Sequence, residues 1–440
     1  MKKKLISLLL VVVLTLTMVA CGSSGDENGD KEANNGSASN GPAYVTEPIT
    51  INFWHIFGSG ETADYMNDAV KRFNETNEYD ITVNATSVGS YSTLRSQLTT
   101  SIGAGDNPQI VMLGFSDIMA SAGVLVDMTP YAERDNLELG SYWDGVETSM
   151  YYDGQLTGLP FVRSCTMLYY NVDMFKQAGF ETAPKTVDEM VTMCKAVSQK
   201  TGAYGLEMLL DVSFQQEALL RSLGSDGLID EDKQGAGCLE DGSMLKLMTD
   251  WSKWIEEGWC LAPTVADAQN KMLQKMYSGE LAACTASSAL IGTLTKYGAE
   301  SGQNIVGVAM PTYDGSSGVG GGGDISIINA NNDEQQIAAA WEFAKFLMSD
   351  EEVATRSEIT GYLPTSQGAA DLMADVFETN VSLKNAYEER LKCVDVAGGI
   401  ERSEWQTQVN AAFSYVIQDK SMTPEEGIEY LKDMLPTVFY

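Results

Sequence analysis

The chain of 440 residues contains a single histidine, His55. That leaves no room for a histidine-rich metal cluster or for any mechanism that needs a second imidazole. Cations are scarce as well: 28 Lys and Arg face 61 Asp and Glu, a net charge of −33. A field of that sign repels phosphate backbones, so no nucleic-acid partner is expected. Cysteines number seven and none forms a CxxC pair. Their spacing matches neither a zinc site nor a small disulfide framework. The six beyond Cys21 are an even number and could oxidise in an exported chain, but they read as mostly buried free thiols. No G-x-S-x-G elbow is present, and no G-K-[ST] follows the glycine run at 318–323. Nucleophile-elbow hydrolysis and a nucleotide-binding P-loop therefore both lack their residues. With 61 acidic side chains, pairing carboxylates by eye for glycosidase chemistry carries no information.

Long apolar runs are also few. Leu5 to Ala20 is sixteen residues, short of the roughly 20 a spanning helix needs. Lys2, Lys3 and Lys4 precede it, so residues 1–20 read as a signal peptide. The run ends Met18-Val19-Ala20-Cys21-Gly22, which resembles the lipobox of bacterial lipoproteins apart from Met in place of the usual Leu. That resemblance implies cleavage before Cys21 and its lipidation, attaching the chain to the extracytoplasmic face of the cell membrane through lipid only. Loss of the three lysines leaves 25 cations against 61 acids, a net −36. Residues 21–47 are rich in Gly, Ser and Asn and read as a flexible tether, with a reach of roughly 25 Å.

The body alternates strand and helix patterns. Ile49 to Trp54, Ile81 to Val83 and Gln109 to Leu113 read as strands, with helices between them showing Met66, Ala69, Val70 and Phe73, then Leu94, Leu98 and Ile102, on single faces. Repeated βαβ units imply a mainly parallel sheet flanked by helices, an α/β fold. The pattern restarts near 156, with separate strands at 156–160 and 167–170 and a helix opened by the Thr186/Glu189 capping box. Further helices are expected at 242–257, 268–278, 287–299, through Ile337 to Leu347, and over 402–435. Strands are expected at 281–284, 305–308 and 325–328. No internal repeat is visible.

Two features point to a ligand. The glycines at 318–323 suit a hinge or a close backbone approach. Trp54, Tyr91, Tyr169, Tyr170, Tyr362 and Trp405 fall near expected strand ends or loops rather than on apolar stripes. Each alone is ordinary core packing, but strand ends of parallel sheets border ligand crevices.

Several stretches carry a family resemblance. They are Phe53-Trp54-His55, Gly89-Ser90-Tyr91, Ala104 to Pro108, Pro160 to Ser164 leading into Leu168-Tyr169-Tyr170-Asn171, Phe175 to Gly179, Thr285-Ala286-Ser287-Ser288, the glycine run, and Thr360-Gly361-Tyr362-Leu363-Pro364. In order and over roughly 49–440, the chain resembles the bacterial family-1 extracellular solute-binding proteins, receptors of ABC importers, and among them those for sn-glycerol phosphate. The resemblance implies a two-lobed periplasmic-binding-protein type II fold with three hinge crossings, near 158–165, 319–325 and 358–364. One lobe would hold 48–160 with 325–360, the other 161–320 with 361–440. It implies a monomeric, non-enzymatic receptor without cofactor or metal, which binds a small solute and passes it to a permease. Implied ligand contacts are Tyr91, Ser164, Ser287 or Ser288, Gly322 or Gly323, and Tyr362, with Trp54 and His55 beside them and Arg402 holding an anionic group. An acidic contact of the glycerol-phosphate receptors falls here on Phe115, with Asp117 two residues on, and their tryptophan pair has no counterpart in Leu206 to Phe214. The alternative from another class is an exported carbohydrate-processing enzyme.

Overall fold

The computed structural model describes residues 41–142, 149–210, 213–230, 235–396 and 400–439. The expected signal peptide and Cys21, and all but the last residues of the expected tether, lie outside the described residues. Strands are β1 (Ile49–His55), β2 (Ile81–Ser87), β3 (Ile110–Leu113), β4 (Tyr151–Tyr152), β5 (Gln155–Leu156), β6 (Leu159–Asn171), β7 (Leu206–Glu207), β8 (Cys260–Leu261), β9 (Ala283–Ser287), β10 (Ile305–Ala309), β11 (Val319–Ile327) and β12 (Val394–Asp395). A sheet in the order β2-β1-β3-β11-β6-β9-β7-β8 runs through the body, with β10 beside β6 and β12 beside β11.

The expected parallel pairing holds at the two ends, β2-β1-β3 and β9-β7-β8. It fails in the middle, where β11 runs antiparallel to β3 and to β6, and β6 antiparallel to β9. The two strands expected at 156–160 and 167–170 are one 13-residue strand, β6. The glycine run is no loop: it forms the first half of β11, with Gly321 opposite Ser164 and Gly322 opposite Arg163. The C-terminal helical stretch is broken, with helices at Ile400–Phe413 and Pro424–Phe439 and a wider turn at Ser414–Gln418 between them.

Two cores explain the long central strands. At the β1 end, Phe53, Met112, Ile325 and Trp341 pack together with Phe161 and Val162. At the other end, Leu168, Val319, Trp251, Trp405 and Phe413 share a core. Both β6 and β11 thus start in one core and finish in the other. A third segment does the same: Met348 lies in the first core, and Leu363 packs with Cys165, Met167 and Tyr169 in a cluster of the second lobe. The Leu363 N–H donates to the Arg163 carbonyl at 2.8 Å, so all three crossings lie side by side.

Helix ends are set by local chemistry. Ser90 caps the helix Tyr91–Ala104 by accepting from the Thr93 N–H at 3.2 Å, and Gly105 ends it in the left-handed region at φ 76°. Thr186 caps the helix Val187–Thr201 by accepting from the Glu189 N–H, but the expected box is only half formed, since the Glu189 carboxylate accepts from the Lys185 N–H instead.

Candidate functional site

Where the crossings meet the end of β3, the fold leaves a cavity of about 280 Å³. Tyr91, Arg95, Leu113, Gly114 and Phe115 line it from the β1 side, Ser164 and Gly322 from the crossing strands, Ser287 from the end of β9, and Tyr362 from the third crossing.

Tyr91 opens its helix and lays its ring against Gly114, where a Cβ would come within 2.9 Å of the ring. Its hydroxyl ends beside Gly323, is buried, and has no hydrogen-bonding partner among the described residues. Burial, reinforced by the nearby Tyr362 and Asp324, pushes this phenol well above its ordinary range. Tyr362 follows the helix Asp350–Thr360 and its left-handed Gly361, and its ring stacks on Phe57 with centroids 5.7 Å apart. Burial raises its pKa to about 12. Both tyrosines are neutral donors at physiological pH. The Ser287 hydroxyl accepts from the Ala289 N–H at 3.3 Å, and its carbonyl accepts from the Tyr169 hydroxyl at 2.8 Å, which fixes the turn after β9.

The other residues expected at the site lie elsewhere. Trp54 faces the Leu94, Leu98 and Val111 cluster, because alternation along β1 turns it away from Phe53 and His55. His55 is buried with its Nδ1 accepting from the Phe57 N–H at 3.2 Å, and burial lowers its pKa to about 4. It is neutral at pH 7 and does not line the cavity; its ring meets Phe57, which in turn stacks on Tyr362. Ser288 is fully buried and not in the wall, its Oγ accepting from the Cys165 N–H at 3.4 Å. Gly323 does not line the cavity; its missing side chain makes room for Tyr91. Arg402 is not in the wall. Its Nη2 donates to Glu217 Oε2 at 2.8 Å, inside a buried cluster where Glu217 also accepts from Arg221 and from the Leu228 N–H. Arg163, another cation near the crossings, is held by Asp324 at 2.8 Å with both side chains buried.

Three wall residues escaped the sequence reading of contacts: Arg95, Leu113 and Gly114. Arg95 could have been found, since it follows Tyr91 by four positions and so shares its helix face. Its Nη2 donates to Ser403 Oγ at 3.0 Å, from the helix Tyr91–Ala104 to the helix Ile400–Phe413. Phe115, noted only as a departure from the glycerol-phosphate receptors, is also in the wall. No Asp or Glu stands among the lining residues, so the wall offers hydroxyls, rings and one guanidinium but no carboxylate pair for acid–base work. Among the described residues no group of three or more His, Cys, Asp or Glu could hold a metal ion.

The chain belongs to the bacterial extracellular solute-binding proteins, whose family model matches residues 68–385. The diacetylchitobiose binding protein of Streptomyces coelicolor is 22% identical over 378 residues, covering 83% of this chain and 83% of that protein. The sn-glycerol-3-phosphate-binding periplasmic protein UgpB of Escherichia coli K12 is 25% identical over 370 residues, covering 78% of this chain and 80% of that protein. In three dimensions, UgpB from Mycobacterium tuberculosis in complex with glycerophosphocholine matches with a TM-score of 0.75 at 18% identity, covering 89% of this chain and 98% of that one. That likeness establishes the shared two-lobed α/β fold.

Proposed function

We propose that this solute-binding protein is a monomeric, lipid-anchored receptor that captures one small polar solute and hands it to the permease of an ABC importer. The observation that carries the reading is the cavity itself, walled by Tyr91, Ser164, Ser287 and Tyr362 where three chain crossings join two cores. Ligand bound there touches both lobes, so binding favours a closed arrangement that a permease can recognise. The lobe assignment is 48–160 with 325–360 against 161–320 with 361–440; the division of the cores along β6 and β11 supports it, except that Phe161 and Val162 still pack in the first core. Anchoring is through Cys21, at the extracytoplasmic face of the cell membrane.

The solute is a glycerol phosphate, a glycerophosphodiester or a small sugar. The names of the two curated relatives support both classes, and a volume of about 280 Å³ favours the smaller members. Tyrosine rings and neutral hydroxyls bind polyols without cleaving them, which favours a receptor over a carbohydrate-processing enzyme. The test is calorimetric titration of the purified chain with these solutes, alongside a turnover assay on glycosides and phosphodiesters. Stoichiometric binding without product is expected; catalytic release of product would overturn the receptor reading.

A further inference from the structure

In a chain with 61 acidic side chains, the cavity wall carries no carboxylate and one cation, Arg95. Arg163 and Arg402 are committed elsewhere, to Asp324 and Glu217, and Arg356, buried over the Phe161 ring, is not in the wall. Arg95 has no acidic partner among the described residues, and the Ser403 hydroxyl it meets is a neutral acceptor. A guanidinium carries five N–H donors in a planar fork suited to an oxyanion, and this bond uses one. One helical turn earlier, the Tyr91 hydroxyl is buried without a partner. Tyr91 and Arg95 line one wall, whose single charge is positive in a protein field of the opposite sign.

We propose that Arg95 reads an oxyanion on the solute, a phosphate or a carboxylate, and that its bond to Ser403 couples this reading to lobe closure. The inference rests on the cavity being the solute site. The cavity-lining Arg95 sits on the helix after β2, whereas Ser403 sits on a helix whose neighbours Trp405 and Phe413 belong to the other core. An anion that orders the guanidinium holds that bond in the closed arrangement. When the lobes part, Ser403 is withdrawn and the fork loses its alignment. Anion affinity and closure are then linked quantities.

The test uses the full-length chain in detergent and matched probes: glycerol 3-phosphate against glycerol, glucose 6-phosphate and glucuronate against glucose. The wild type is expected to bind anionic members and to compact on binding, as followed by fluorescence energy transfer between labels on the two lobes. Arg95→Gln should weaken anionic probes about ten- to a hundredfold while changing neutral ones less than about twofold. Arg95→Lys should restore part of the loss, and raised salt should weaken the wild type but not Arg95→Gln. Ser403→Ala should retain anion selectivity but reduce compaction at saturating anion. Tight neutral-sugar binding that Arg95→Gln leaves unchanged would overturn the inference and leave the receptor reading standing. Full compaction in Ser403→Ala would overturn the coupling. No binding in either arm would count against both readings. Thermal unfolding of each variant separates these outcomes from misfolding.

Discussion

The Tyr91 hydroxyl occupies the place where a side chain on residue 323 would begin. The aromatic on the second helix and the glycine on a crossing strand are therefore one device. Gly323→Ala should displace Tyr91 or push β11 from β3, at a cost of about 1–3 kcal/mol in stability, with solute binding weakened. Combining it with Tyr91→Phe should recover part of the stability, since the hydroxyl is the nearest obstacle. Urea unfolding of the single and double variants measures both terms; strictly additive losses would show that the two residues do not share the space.

The buried Arg163–Asp324 pair ties β6 to β11 at the crossing. Asp324→Asn removes the charged partner of a guanidinium that is 3% exposed, and should cost about 3–5 kcal/mol. Replacing both by apolar residues of similar volume should cost less than either single change. Equilibrium unfolding with the three variants checks the order.

Acid should weaken the fold in two stages. Burial holds His55 near pKa 4, below the ordinary 6.5, so between those values the unfolded chain binds a proton that the folded chain refuses. Stability is then full above pH 6.5 and falls as the pH drops to about 4, by about 3 kcal/mol at most. Asp135, held far below the usual carboxylate range by Arg134, with Lys345 and Trp341 also bonding it, withdraws its contribution only under still more acidic conditions. His55→Gln should flatten the upper stage and leave the lower one, as read from melting temperature against pH.

Six cysteines of the body are free thiols, five of them buried. Burial pushes the thiols of Cys194, Cys238, Cys260 and Cys284 well up, and an un-ionised thiol is a poor nucleophile. Alkylation of the native chain near pH 8 should modify Cys393, half-buried in the segment after the helix Val381–Arg390, and spare the rest. After unfolding, all six should react. Mass mapping of the labelled peptides decides this; a cysteine that stays unlabelled even when unfolded would point to a disulfide.

If Cys21 is lipidated, as proposed, Cys21→Ser should release the body from membranes into the soluble extracytoplasmic fraction, with solute binding unchanged. Two acyl chains are needed for stable retention, so no partial attachment is expected. A variant that still partitions with detergent-extracted membranes would contradict the anchor.

The β1 to β3 strands, most helix positions and the Thr186 cap were legible in the sequence, because they follow from periodicity and capping within a few residues. Tyr91, Ser164, Ser287 or Ser288, Gly322 or Gly323, and Tyr362 were expected only through the family resemblance; Tyr91, Ser164, Ser287, Gly322 and Tyr362 line the cavity. Local pattern could not show that the glycine run is a strand. Its glycines meet the β6 backbone and the Tyr91 hydroxyl, neighbours about 160 and 230 positions away in the chain. Nor could it show which cation is left over for a ligand. Arg402 and Arg163 look as available as Arg95 until Glu217 and Asp324 arrive beside them, 185 and 161 residues distant in sequence. Helix and strand depend on neighbours within a turn or a pleat, and the chain itself supplies those. The charge of a site is the sum over whatever the fold brings within a few ångströms, so only the tertiary structure decided that Arg95 is the cation in the wall.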